Sequence, residues 1–368
     1  MRNHHARLRP LRRLLPLLAG LIPALLGLCG PAAADMLVIA HRGASGERPE
    51  HTLMSYSLAI DLGADFIEPD LVATRDGMLV ARHENEISGT TDVADHAEFT
   101  DRRTTKIIDG RSVTGWFTED FTLDELKTLR ARERLPQLRP QNTAYDGHES
   151  IPTLDEIIAL IRRKEAETGR RIGLYPETKH PGYFQSIGLA LEPRLVETLH
   201  KAGYRGHDAP VFIQSFETAN LKALRKMTDL PLVQLIEAAT PPYDLVAAGD
   251  RRGSPDLLTD AGLAEIASYA DGLGAEKGLL LPRDDDNHWS TPTDLVARAH
   301  KAGLRVHVWT LRVENYFLPV PLRRGDAADP RFPALAGDLA GEIRALRGLG
   351  VDGIFTDNPR QAVAALGR

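Results

Sequence analysis

Short apolar runs alternate with stretches of helical period along most of the chain. Residues 36–40, 65–71, 78–82, 172–177, 211–215, 232–236, 278–281, 305–310 and 353–356 read as strands. Between most of them, residues 52–62, 154–164, 189–202, 217–226, 261–269, 293–302 and 339–349 carry apolar side chains at helical spacing. Strands that alternate with helices pair in parallel through right-handed crossovers. About eight such units predict an α/β fold closed into a TIM (β/α)8 barrel. The ninth run, 78–82, is expected to be a short antiparallel return beside the second strand.

Two segments break the rhythm. Residues from 84 to about 150, rich in Thr, Asp, Arg and Gly, predict a subdomain inserted after the second strand region, over one barrel mouth, with a helix-like piece at 122–131. Residues from about 313 to 333 form a second irregular loop containing Pro319, Pro321 and Pro330. Loops of such length inside a compact domain usually serve as lids or binding loops.

The first 34 residues have the pattern of a cleaved signal peptide. Arg2, Arg7, Arg9, Arg12 and Arg13 precede an apolar stretch at 14–28, and Ala32, Ala33 and Ala34 form a small-residue cleavage site. Pro16, Gly20, Pro23 and Gly27 interrupt the stretch, which is short for a spanning helix, so no stable membrane anchor is expected. Leu28 before Cys29 does not suit lipid attachment. Cleavage after Ala34 leaves 35–368 as a single catalytic barrel domain, free of cysteine, in the periplasm or secreted. Losing five leader arginines lowers the formal charge of −6 by a further five, to −11. Such a surface is unsuited to nucleic acid, so the expected partner is a small, diffusible molecule drawn to a local cationic pocket.

The candidate chemistry gathers at strand ends. One apolar run ends in His41-Arg42-Gly43, a second in Glu68-Pro69-Asp70, and the return ends in His83. Side chains alternate along a strand, so Glu68 and Asp70 point to the same side. Taken alone, the pair is a solvated strand end. Glu177 ends another buried-looking strand, and a barrel delivers all its parallel strands to one rim. Three carboxylates there need a cation, and oxygen ligands favour calcium or magnesium over zinc. His41 and His83 suit an acid–base pair across a phosphate. Arg42 offers a planar fork for that phosphate, and Lys179, two residues beyond Glu177, can neutralise developing charge. Trp309 is a candidate for the pocket wall, Asp357 reads as a helix cap, and the remaining histidines, His51 and His180 included, read as structural or surface groups.

With those residues in place, the chain resembles the glycerophosphodiester phosphodiesterases. The match is HRG at 41–43, E-x-D at 68–70, TRDG at 74–77, His83, E-x-K at 177–179, QSF at 214–216, WT at 309–310 and VDGIFTDNP at 351–359. The segment ERLPQLRPQNTAYDG and ENYFLP at 314–319 look like the longer, periplasmic bacterial branch. The resemblance implies a TIM barrel that hydrolyses glycerophosphocholine, glycerophosphoethanolamine and similar diesters to sn-glycerol 3-phosphate and an alcohol. It also implies a divalent ion, usually calcium, on Glu68, Asp70 and Glu177, with His41 and His83 catalytic and Arg42 and Lys179 on the phosphate. Two positions depart from the family pattern: His51 stands where Asn is usual, and Glu84 follows the second histidine where Asp is usual.

Three other readings share some of these features. A phospholipase D-like phosphodiesterase acting on lipid headgroups would use similar histidines and carboxylates. A glycosidase would use barrel carboxylates but leave Arg42 and Lys179 without a task. A non-catalytic periplasmic glycerophosphodiester-binding protein would have no use for the histidine pair.

Overall fold

The computed structural model describes residues 1–2 and 36–368, so the expected leader and Cys29 lie outside the described residues. Eight strands form the barrel: β1 (Leu37–His41), β2 (Phe66–Glu68, resuming as Asp70–Ala73), β3 (Gly173–Leu174, resuming as Glu177–Thr178), β4 (Ile213–Ser215), β5 (Leu232–Ile236), β6 (Gly272–Glu276), β7 (Arg305–Leu311) and β8 (Gly353–Thr356). Each pairs in parallel with the next, and β8 pairs with β1 to close the ring. Pro69 and Pro176 fall at the breaks in β2 and β3, where a residue without an N–H cannot donate to the ladder. Their carbonyls still accept, from Glu177 and Gln214, each at 2.9 Å.

Apolar side chains sort into two cores. The larger lies between strands and surrounding helices. A smaller one fills the barrel with Ile39, Phe66, Tyr175, Phe212, Val233 and Phe355, and the Tyr175 hydroxyl meets His307 Nδ1 at 2.7 Å.

The antiparallel return is Leu79–Ala81, paired with Asp70–Ala73 so that Leu71 faces Ala81. Gly77, at φ +76°, turns the chain, while Thr74 donates to Asp76 at 2.6 Å. This hairpin is what brings His83 back beside Asp70, with the Arg82 N–H donating to the Asp70 carbonyl at 3.0 Å.

Two expected elements need correction. Residues 278–281 are not the sixth barrel strand: that strand is Gly272–Glu276, and Lys277–Leu279 is a single 3-10 turn. Its two glycines hide it from an apolar pattern, yet a Cβ on Gly274 would come within 2.5 Å of Leu235. Helix was expected over 122–131, but only Leu123–Leu126 is helical, one turn fixed by reciprocal capping between Thr122 and Glu125.

The insert after His83 includes the hairpin Thr104–Ile108 with Arg111–Gly115. Its charged contacts with the barrel include Arg134 with Glu50 at 3.0 Å, Arg139 with Asp357 at 2.6 Å, and Asp109 with His180 at 2.6 Å. Glu50, His180 and Asp357 all follow the carboxyl ends of barrel strands, the face on which barrel enzymes carry their sites. Among the described residues, no helix is long and apolar enough to cross a membrane.

Candidate active site

Glu68 and Asp70 flank Pro69 in β2 and reach the same side, where Glu177 of β3 joins them. One oxygen from each lies within 4.8 Å of the others, and all three side chains are buried. Burial first, and then the neighbouring carboxylates, push Glu68 well above its ordinary range. Burial likewise pushes Glu177 up to about 8 against the pull of Lys179. Asp70 goes the other way: burial would raise it, but Lys179, the His51 hydrogen bond, His83 and Arg42 together hold it well below the usual value. Its Oδ1 is buried and has no hydrogen-bond partner among the described residues. Three acidic oxygens this close, one of them unpartnered, fit an oxygen-liganded divalent cation.

Two cations flank the carboxylates. Lys179 Nζ donates to Glu177 Oε1 at 2.8 Å. Burial opposes its charge, but Glu177, Asp70 and Glu84 keep it protonated far above neutrality. Arg42 sits in the left-handed region, at φ +59°, which turns its N–H onto Glu68 Oε2 at 2.8 Å. Its guanidinium is already pinned, with Nη1 on Glu50 at 3.0 Å and Nε 3.3 Å from Asp70. Gly43 follows at φ +89°; a Cβ there would come within 2.7 Å of the Ser55 backbone, so the turn closes only with glycine.

His41, 8 % exposed, ends β1 with its Nδ1 2.6 Å from Asp357 Oδ1. Burial, and after it Arg42, lowers its pKa to about 4, only partly offset by Asp357. The ring is therefore neutral near pH 7, with a proton on Nδ1 toward the carboxylate and Nε2 left as an acceptor. His83 is half-buried, and its Nδ1 lies 2.8 Å from Glu84 Oε1 without hydrogen-bond alignment. Burial, Arg42 and Lys179 bring it down to about 3.

A cavity of about 220 Å³ opens onto His41, Arg42, Glu68, His83, Glu177 and Lys179, while Asp70 lies just behind its surface. Trp309 lines it, packed edge-on against Phe216 at 5.6 Å and donating through Nε1 to the Gly274 carbonyl at 2.9 Å. The fold thus gathers all eight residues singled out from the sequence around one mouth.

Known proteins resemble the chain along most of its length. The sequence model of the glycerophosphoryl diester phosphodiesterase family matches residues 41–361. The chain belongs to that family. A glycerophosphodiester phosphodiesterase of Arabidopsis thaliana, GDPD6, is 40% identical over 87% of this chain and 82% of its own. The glycerophosphodiester phosphodiesterase of Haemophilus influenzae is 31% identical over 90% of each chain. Among solved structures, a putative glycerophosphoryl diester phosphodiesterase from Silicibacter pomeroyi superposes with a TM-score of 0.63 at 22% identity, covering 91% of this chain and 94% of that one. A phosphodiesterase from Oleispira antarctica, solved with the product sn-glycerol-3-phosphate, gives 0.57 at 22% identity over 91% and 98%. Both share the barrel fold. Like other members of its family, the protein is a phosphoric diester hydrolase.

Several residues of this family member were not legible as site residues. Asp357 is more than a helix cap: Asn358 holds the capping position of the last helix, and the Asp357 carboxylate stands behind His41. Its position directly after a barrel strand was the available signal. His51 is fully buried beside the carboxylates: its Nε2 meets Asp70 Oδ2 at 2.9 Å and its Nδ1 meets the Tyr56 hydroxyl at 2.7 Å. Gln214 donates to Glu68 Oε1 at 3.1 Å. His180 bridges Glu84, at 3.0 Å, and Asp109, at 2.6 Å. Arg42, His51, Asp109 and His180 all adopt positive φ, a conformation that non-glycine residues keep only where the surroundings hold them.

Proposed function

We propose that the protein hydrolyses glycerophosphodiesters such as glycerophosphocholine and glycerophosphoethanolamine to sn-glycerol 3-phosphate and the free alcohol. The observation that carries this reading is the convergence of a buried three-carboxylate cluster, two fixed cations and two neutral histidines on one small cavity. Arg42 and Lys179 bind the phosphodiester anion and orient it between His41 and His83. One histidine takes the proton of the attacking hydroxyl and the other gives a proton to the leaving alkoxide; water as attacker gives sn-glycerol 3-phosphate directly, whereas the glycerol 2-hydroxyl gives a cyclic phosphate that water opens in a second step with the two roles exchanged. A bound phosphodiester adds a negative charge that opposes the depression of His83 by Arg42 and Lys179, favouring its protonation. Phe216 and Trp309 bound the cavity with apolar surface suited to the carbon skeleton of the substrate.

Glu68, Asp70 and Glu177 would hold a divalent cation; the oxygen-only set suits calcium or magnesium, and the resemblance to the longer bacterial branch favours calcium. Such an ion supplies neutralising charge and Lewis acidity at the phosphate oxygens. The basic and apolar first 34 residues support export to the periplasm, or secretion, with loss of the leader; the mature amino terminus, read by sequencing, tests this.

The deciding experiment measures sn-glycerol 3-phosphate released from glycerophosphocholine by the purified protein with calcium, with magnesium and with chelator. Release that chelator abolishes and calcium restores supports the reading. Tight binding without release in every metal points to a binding protein, and release of headgroup from intact lipid to the phospholipase D-like alternative.

A further inference from the structure

We propose that Arg139, carried by the insert, is a positioning residue for His41 and acts through Asp357. The proposal rests on the reading above that His41 handles a proton.

Asp357 uses its two oxygens differently. Oδ1 meets His41 Nδ1 at 2.6 Å, while Oδ2 accepts from Arg139 Nη2 at 2.6 Å and from Arg312 Nε at 2.7 Å. A carboxylate held through one oxygen can turn about its own axis and exchange the two. Two guanidinium donors on Oδ2 fix its plane and reserve Oδ1 for the histidine. Because that oxygen only accepts, the His41 proton stays on Nδ1 and Nε2 is presented unprotonated.

Arg139 is itself held at every nitrogen. Nε donates to Glu314 Oε1 at 2.6 Å, and Nη1 donates to the Ser45 carbonyl at 3.0 Å. Ser45 in turn donates through Oγ to the His41 carbonyl at 2.8 Å. Arg139 therefore braces the backbone that follows His41 as well as the carboxylate behind its ring. Two arginines and two carboxylates are balanced in charge here, and Arg139, Asp357 and Glu314 are buried. Buried ion clusters are poor sources of net stability, because desolvation offsets the attraction. A cluster placed directly behind His41 has a task in orienting it.

The rival role is a clasp that only ties the insert to the 313–333 loop. To separate the two, kcat and KM for glycerophosphocholine are measured with saturating calcium for R139M, R139K, D357N, R139M/D357N and H41A. A positioning role predicts that R139M lowers kcat about ten- to a hundredfold with KM within about twofold. It predicts that R139K recovers part of the loss. In the D357N background, R139M should cost no more than about another twofold, since both act through one contact. An R139M kcat within about twofold of wild type overturns the proposal, and so do R139M and D357N losses that multiply. If R139M does not fold, R139Q carries the same limits. Near-normal turnover in H41A would instead overturn the reading on which the proposal rests.

Discussion

His41 stands at the end of a barrel strand with a buried carboxylate and two arginines behind it, whereas His83 comes off a short return strand and leans on an exposed glutamate. The contact behind His41 is aligned and short, at 2.6 Å; the one behind His83 is as close as 2.8 Å but misaligned. Behind Glu84 stand His180 and then Asp109, in the Asp109-Gly110 turn of the insert hairpin. Both arms end in the insert, at Arg139 on one side and Asp109 on the other. The difference lies in water. Around Asp357 no solvent can replace a lost partner, so geometry there is fixed by the ion cluster. Around Glu84 water can substitute, so the His83 arm tolerates adjustment and exchanges protons with solvent.

That contrast can be broken at several levels. The largest effect falls on the histidines themselves: H41A and H83A should each lower kcat by about 10²–10⁴ while melting close to wild type. Near-normal turnover in both would remove the acid–base assignment. The carboxylates behind them should separate the arms. D357N should lower kcat about ten- to a hundredfold, and E84Q only about two- to fivefold, because solvent replaces what Glu84 supplies. Equal losses would show that the arms are alike.

Ligand-ion binding sharpens the middle ground between them. Adding calcium should raise the melting temperature of the wild type, as any ligand selective for the folded state does. E177Q and D70N should lose that shift, read by calorimetry without substrate. A full calcium shift in both variants would place the ion elsewhere.

The last effect is on stability and its pH dependence rather than on turnover. Burial would lower His180, but its hydrogen bonds to Asp109 and Glu84 outweigh that and raise it to about 9 from 6.5. A folded value above the unfolded one means the stabilisation is complete below pH 6.5 and is lost as pH rises through about 9. At full extent it is of the order of 3 kcal/mol. The melting-temperature gap between wild type and H180Q should therefore be widest near pH 6 and narrow by pH 9.5. A gap independent of pH would mean that His180 is neutral in the Glu84 arm.

Much of the barrel was written in the hydrophobic pattern, because a strand buried on both faces must be apolar and a helix covering it must be apolar on one. β6 escaped for the converse reason. GLGAE is nearly featureless as a pattern, and its glycines are explained only by Leu235 and Val233 lying against them. The rim residues His41, Glu68, Asp70, Glu177 and Lys179 were legible from the order of their strands, since parallel strands in a barrel must present their carboxyl ends to one face.

Local sequence thus determined seven of the eight barrel strands, the hairpin that returns His83, and the chemical character of one mouth. Tertiary structure alone decided which groups stand behind the rim residues. Asp357 lies 316 residues from its partner His41, and Arg139 lies 218 from Asp357 in a proline-rich stretch with no period to read. His51 meets Asp70 only because an Arg42–Gly43 turn folds the first helix back against the site. Periodicity records which side of an element is buried. The direction of a hydrogen bond between distant loops depends on closure of the ring and docking of the insert, which no short window of sequence contains.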